Sequence, residues 1–208
     1  DKQTYYKLAL SGAAGDSPRA MAESYFEGGS MHGDLALCEA ASSARCFFRL
    51  LEMGVPFPHD AYGQFAGYRT DHDARARASS AGPLTSRYMT ERLEARVRAL
   101  GGVFHEGWQA VRIFAENGCV RALLTVQMGV RTPRFRLYTC KNMIFAAGGP
   151  AGLYARSVYP GTHTGSTGLA LEAGADGANL TEWQFGLASQ KFRWNVSGTY
   201  MQALPRFV

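Results

Sequence analysis

The residues best suited to chemistry lie in the second half of the chain, where glycines follow an apolar run. The segment "KNMIFAAGG" brings Gly148 and Gly149 directly after Met143 to Ala147, and this run predicts a strand buried on both faces. Glycine has no Cβ, so its backbone can approach a phosphate or a ring closely. We therefore expect a ligand beyond the carboxyl end of this strand, as in open α/β sheets. A plain turn from strand to loop is the alternative.

A second set of candidates lies at the start of a short helix. Ser166, Thr167 and Gly168 precede an apolar segment that predicts a helix, with Thr164 to Thr167 able to cap it and Gly174 ending it. The free N–H groups and positive dipole of a helix N-terminus suit an anionic group. Simple capping without a ligand remains open as the other interpretation.

The first half of the chain predicts one long helix and one long loop. Asp34 is expected to cap the helix and Gly54 to end it, with an apolar stripe at 3.6-residue spacing formed by Leu37, Ala41, Ala44, Phe48 and Leu51. Residues 59–84 carry little periodicity, and this predicts a long loop. Because loops of that length are usually functional, Arg69, Arg75 and Arg77 are candidates for contacts with phosphates or an anionic substrate.

The remaining elements predict an α/β fold with an antiparallel meander. A helix is expected over about 86–100, followed by a short strand at 103–105. Two alternating strands flank Asn117-Gly118, a strong hairpin signal, and "RFRLYT" predicts a third strand. The order helix, strand, meander, buried strand, glycine turn and helix is that of the second half of a Rossmann-like FAD/NAD(P)-binding domain.

The composition is that of a globular chain with a basic surface. Of 208 residues, 46% are hydrophobic and 19% charged, with a net charge of +5. The arginines are scattered, so we expect no nucleic-acid partner, and no apolar run is long enough for a transmembrane segment. The four cysteines show neither CxxC pairs nor zinc spacing, which predicts no metal site and buried or spectator thiols; they are Cys38, Cys46, Cys119 and Cys140.

Several stretches resemble the flavoprotein subunits of succinate dehydrogenase, fumarate reductase and L-aspartate oxidase. They are "GDSP", "LEMGVPF", "IFAAGGPAGLY" and "GSTGLALEAGADGANLTEWQF", and the resemblance runs from Gly15 to Ser189. It implies an FAD-dependent oxidoreductase in which the flavin exchanges a hydride with a small organic substrate, either a carboxylate or an unsaturated compound. It also implies that the enzyme has an electron-transfer partner. It also implies cofactor contacts from a set of backbone and helix-start residues: Ala110, Ala147, Gly148, Gly149, Ser166, Thr167 and Gly168.

Three departures from that family shape the expectation. The Gly-x-Gly-x-x-Gly fingerprint is missing, so we expect 1–208 to be a single partial FAD-binding domain of a longer protein. Its expected parts are a helical region at 1–58, the loop at 59–84, a region at 85–189 and the start of a further segment at 190–208. The acidic residue expected near Gly165 and Ser166 is absent, and Gly186 stands where the family has a substrate histidine. We therefore expect a substrate other than succinate. We assign no catalytic acid or base, because the resemblance implies that the region supplying it lies outside this chain.

These departures also imply that FAD belongs to the full-length protein and is not held by this chain alone. Two other interpretations stay open: a non-catalytic α/β structural or interaction domain, and an NAD(P)-binding module.

His163 is either near the flavin or a surface-loop histidine. The aromatic residues Trp183, Phe192 and Trp194 form either a pocket wall or part of a core. A cytoplasmic location is expected, with export of the parent protein left open.

Overall fold

A computed structural model describes residues 4–10, 15–70, 73–149, 153–154, 163, 165–182, 188–189, 191 and 194–195. The chain divides into two compact units, residues 1–104 and 105–208. Among the described residues, no helix combines the length and the apolar character that crossing a bilayer requires. The prediction of one partial domain over 1–208 stays a prediction.

Two packed helices form the centre of the first unit. Helix α1 spans Pro18–Phe26 and α2 spans Gly33–Glu52. Their contact buries one apolar cluster, and the second half of α2 and the chain after it form another. The first cluster comprises Met21, Ala22, Ala36 and Ala40, and the second comprises Phe47, Leu50, Val55 and Phe57.

The predicted stripe of α2 is wrong by one residue. The buried positions are Ala36, Ala40, Ser43, Phe47 and Leu50, whereas the predicted Leu37 and Phe48 are 48% and 44% exposed. Both rows have helical spacing and differ by a rotation of about 100° around the axis. Ser43 made the true row look less apolar. Its hydroxyl is satisfied inside the protein, since it donates to the Ala40 carbonyl and accepts from the Leu8 N–H.

The ends of α2 follow local rules. Asp34 lies in the first turn rather than at the cap, which is His32. Gly54 ends the helix as predicted: its φ is +87°, its N–H donates to the Leu51 carbonyl, and the Val55 N–H donates to the Leu50 carbonyl. This pair of bonds is a Schellman motif, in which glycine adopts the left-handed conformation at lowest cost.

Residues 59–84 contain two strands, so the prediction of a continuous long loop there is wrong. Strand β1 (Tyr5–Tyr6), β2 (Tyr68–Thr70) and β3 (Asp73–Ser79) form an antiparallel sheet in the order β1-β3-β2. Strand β3 is charged yet largely buried, and its sequence therefore lacks the apolar alternation by which strands are recognised.

Helix α3, at Thr85–Ala99, matches the predicted second helix. Met89 packs against the second cluster, but Leu93, Val97 and Leu100 are exposed. The predicted strand at 103–105 does not form, and Val103 lies exposed after the Gly101-Gly102 turn.

The second unit contains the predicted meander. Strands β4 (Trp108–Glu116), β5 (Cys119–Gln127) and β6 (Phe135–Thr139) pair antiparallel in that order. Positive φ values at Asn117 and Gly118 produce the tight hairpin that the sequence predicts. Helix α4 spans Thr167–Glu172 and contacts β4, and short β7 (Ala188–Ser189) and β8 (Trp194–Asn195) pair with each other.

The predicted buried strand at 143–147 is wrong. These residues join no sheet in the described part of the chain, and Ile144 is 93% exposed. A strand buried on both faces needs neighbours on both edges and layers on both sides. No described strand pairs with this segment, so its apolar side chains are left at the surface.

Candidate functional site

The glycine turn after residues 143–147 lies against a histidine side chain. Gly148 has a φ of +83°, and a Cβ placed on it would lie 2.9 Å from Cε1 and 3.0 Å from Nε2 of His163. Both the backbone conformation and the contact therefore make a larger residue at 148 unfavourable. Among the described residues, the group next to Gly148 is the imidazole of His163, and the predicted contact of Gly148 with a cofactor stays a prediction.

The start of α4 presents backbone N–H groups without a side-chain cap. Ser166 is the N-cap residue, but its side chain makes no capping hydrogen bond. Ser166 and Thr167 are half-buried, and a Cβ on Gly168 would meet no atom of a described residue within 4 Å. Space is therefore left beside the first turn, and simple side-chain capping by Ser166 does not occur. Thr164, the other predicted cap residue, lies outside the described residues.

Ala110 lies half-buried in β4, opposite Thr125 of β5. Within the described residues β4 is an edge strand of the meander, so one side of its backbone faces away from the ladder. Because α4 contacts β4, the structure brings the element that carries Ala110 together with the element that Ser166 begins. An edge backbone beside a helix start is an arrangement that can bind a polar, flat ligand through main-chain groups.

Arg77 is not available to an anionic ligand, contrary to its prediction as a phosphate-facing residue. Its Nε donates to Asp16 Oδ2 at 2.8 Å and its Nη2 to Asp16 Oδ1 at 2.7 Å. Its Nη1 donates to Ser24 Oγ at 3.0 Å and lies 3.4 Å from Asp73 Oδ1. The side chains of Arg77 and Asp16 are 3% and 1% exposed. Hydrogen bonds from Arg77 lower the pKa of Asp16 to about 2, so the pair stays ionised.

The other two arginines of that group differ from Arg77. Arg75 donates from Nη1 to the Gly15 carbonyl, and Arg69 is exposed on β2. No sequence signal distinguished the three, because Asp16, the acidic partner closest to Arg77, lies 61 residues away.

The cysteines are free, and three of them are exposed rather than buried: Cys38, Cys46 and Cys119. Cys140 is half-buried. The interpretation as spectator thiols is retained, while the expectation of burial is wrong for these three. Trp183, Phe192 and Gly186 lie outside the described residues, and for Trp194 only the backbone is described.

Comparison with known proteins identifies the family. The model of the FAD binding domain family matches residues 4–204. This chain belongs to that family. FAD is the cofactor of this domain in the full-length protein.

The fold of this chain is also that of succinate dehydrogenase and fumarate reductase flavoproteins. The Sdh1 complex of Mycobacterium smegmatis in its apo form aligns with a TM-score of 0.65 at 19% identity, over 81% of this chain and 31% of that one. Sdh1 in complex with UQ1 aligns with a TM-score of 0.68 at 18% identity, over 82% and 31%. A variant of the E. coli quinol fumarate reductase FrdA gives 0.69 at 19%, over 80% and 29%.

The chain thus spans about a third of the length of these solved structures. The predicted resemblance and the Rossmann-like fold class are confirmed at the level of the fold. No curated protein matches the sequence.

Proposed function

We propose that this chain is part of an FAD-dependent oxidoreductase that acts on a small organic substrate. The family match over residues 4–204 carries the proposal. When bound, the flavin supplies hydride transfer, and the protein binds and orients the cofactor. Because Gly186 stands where related proteins have a substrate histidine, the proposed substrate is a carboxylate or unsaturated compound other than succinate.

Three segments are proposed to hold the cofactor. The backbone of Ala110, on the edge strand β4, contacts the adenine. Ala147, Gly148 and Gly149 bring the main chain against the cofactor, with Gly148 kept in its left-handed conformation. Ser166, Thr167 and Gly168 direct the N–H groups of α4 toward its pyrophosphate or flavin edge. The edge position of β4, the uncapped start of α4 and the open space at Gly168 support these assignments.

An electron-transfer partner and a cytoplasmic location complete the proposal. The aligned solved structures include a chain of the Sdh1 complex, which favours a partner that exchanges electrons with the flavin. Stable FAD binding is proposed for the full-length protein and not for this chain by itself.

The test separates a cofactor contact from a structural role. Gly168→Ala in the full-length protein adds a methyl group to a helix at a point where no described residue lies within 4 Å, so stability should hold or rise by about 0.5–1 kcal/mol. If the cofactor lies there, flavin occupancy should nevertheless fall. Gly148→Ala should reduce both stability and flavin content, because its Cβ would meet His163.

Gly28→Ala is the matched control, since among the described residues a Cβ on Gly28 would meet only Ser30 Oγ, at 4.0 Å, and its φ is not positive. Flavin absorbance of the purified protein and thermal unfolding give the two readouts. A full-length protein without flavin absorbance would overturn the proposal and favour the non-catalytic domain. Unchanged flavin content in Gly168→Ala would remove only the assignment of that residue.

A further inference from the structure

Three side chains of the second unit surround the guanidinium of Arg136. Its Cζ lies 4.3 Å from the ring centroid of Trp108 and 5.8 Å from that of Tyr138. Its Nη1 lies 3.1 Å from His105 Nδ1 and donates to the Tyr138 hydroxyl at 3.2 Å. The His105 and Tyr138 rings are themselves 4.9 Å apart. The guanidinium is therefore held by stacking and by two hydrogen bonds.

The hydrogen bonds of Arg136 leave one edge of the guanidinium open. Arginine has only donors, so Nδ1 of His105 must be the acceptor in their contact. Both bonds use Nη1, and in the described part of the chain neither Nε nor Nη2 has an acceptor. The side chain is exposed. The Nε–Nη2 edge is the side of the fork that binds a carboxylate or phosphate with two parallel hydrogen bonds.

The sheet holds this arrangement in place. Arg136 lies opposite Thr125 in the β5–β6 ladder, and Tyr138 lies two residues further on the same face. Trp108 begins β4 on the far side of β5. Because these side chains project from paired strands, the aromatic rings set the plane of the guanidinium before any ligand arrives.

Other arginines of the chain contrast with Arg136. Arg19, Arg77, Arg87 and Arg98 each pair with a carboxylate. Arg136 forms no ion pair with a described residue, although His105, Trp108 and Tyr138 orient it. The chain also carries a net charge of +5, which attracts anions. An oriented cation with an open bidentate edge is the form of an oxyanion site.

We propose that the Nε–Nη2 edge of Arg136 binds the phosphate or carboxylate group of a small molecule. His105, Trp108 and Tyr138 are positioning residues that fix the guanidinium. This site goes beyond the proposed flavin function and does not rest on it. Since phosphate and carboxylate share the same bidentate geometry, the experiment tests them separately.

The full-length protein labelled with 5-fluorotryptophan provides a local readout by ¹⁹F NMR. The Trp108 resonance is assigned as the one lost in Trp108→Phe, and inorganic phosphate and acetate are titrated separately at low ionic strength. We expect a saturable shift of the Trp108 resonance with at least one of the two anions. Arg136→Lys keeps the charge but loses the fork, so binding should weaken about tenfold or more.

Arg134→Gln is the control, because it removes a neighbouring exposed positive charge and leaves the cluster intact. It should weaken binding less than Arg136→Lys does. If Arg136→Lys shifts every fluorotryptophan resonance, Tyr138→Phe replaces it, with an expected weakening of about two- to threefold. The proposal is overturned if neither anion gives a saturable shift of the Trp108 resonance, or if Arg136→Lys binds the anion as tightly as the wild type. It is also overturned if Arg134→Gln loses as much affinity as Arg136→Lys or more, or if Tyr138→Phe, used as the replacement, binds with unchanged affinity.

Discussion

Replacing Asp16 by Asn should destabilise the first unit, because it leaves the Arg77 guanidinium buried with a weak partner. In the native protein Asp16 accepts two bonds from Arg77 at 2.7 and 2.8 Å, and it also accepts from the Ala9 and Ser17 N–H groups. After the substitution, the remaining carboxylate is that of Asp73, 3.4 Å from Nη1. A buried charge that loses its partner typically costs about 3–5 kcal/mol.

The pKa of Asp16 gives an independent magnitude. Bonds from Arg77 lower it from 3.8 to about 2, and this difference corresponds to roughly 2–3 kcal/mol of stability. Because the folded-state pKa is depressed, this contribution is present above pH 3.8 and is lost as the pH falls through about 2. We therefore expect Asp16→Asn to lower the free energy of unfolding by about 3 kcal/mol at pH 7. The deficit should shrink between pH 4 and pH 2.

Urea unfolding followed by circular dichroism measures both quantities. Glu91→Gln is the control, since its pair with Arg87 is more than half exposed and should contribute at most about 1 kcal/mol. The reasoning is refuted if Asp16→Asn costs no more than this control at pH 7. It is equally refuted if the deficit stays constant down to pH 2.

Three further predictions follow from the first unit. Lys7 is fully buried and donates to the Phe65 carbonyl at 3.3 Å, and burial lowers its pKa. Lys7→Met should therefore raise the free energy of unfolding by about 1 kcal/mol at pH 7. The gain should be smaller at pH 9.5, where the lowered pKa gives the wild type a more neutral lysine, and urea unfolding at both values checks this. Burial, followed by nearby acidic groups, raises the pKa of Tyr5 and Tyr25 to about 12. Ultraviolet titration should find them ionising last, with stability falling between pH 10 and 12. Ala76 has a φ of +58°, a strained conformation for a residue with a Cβ. Ala76→Gly should therefore raise the free energy of unfolding by up to about 1 kcal/mol in the same urea assay, and a lower free energy of unfolding would contradict this reasoning.

The meander and the turns were predictable because their signals are local. Asn117-Gly118 specifies a tight hairpin, and Gly54 and Gly174 end helices where their positive φ values are needed. Helix α3 was also predicted to within a residue at each end. In each case the residues that determine the conformation lie within one or two turns of it.

The family and the cofactor were likewise recognisable from short motifs around Gly148 and Gly168. The motifs did not reveal what these glycines contact in this chain. That His163 lies against Gly148 depends on the path of the residues between them, which no motif encodes. The cluster around Arg136 was missed because the alternation in "RFRLYT" indicates only a strand. His105, which contacts Arg136, lies 31 residues earlier in the chain.

The amino-acid sequence by itself determined the position of α3 and of the Asn117-Gly118 hairpin, the ends of α2 and α4, and which glycines could lie against a ligand. Only the tertiary structure decided which side of α2 is buried and that β3 is a strand. The two candidate rows of α2 have the same period, and α1 selects the one in which Ser43 finds its partners. Likewise, Arg77 can be buried only because Asp16, distant in the sequence, neutralises it. Pairing between residues far apart in the chain decides such cases, and no local pattern contains it.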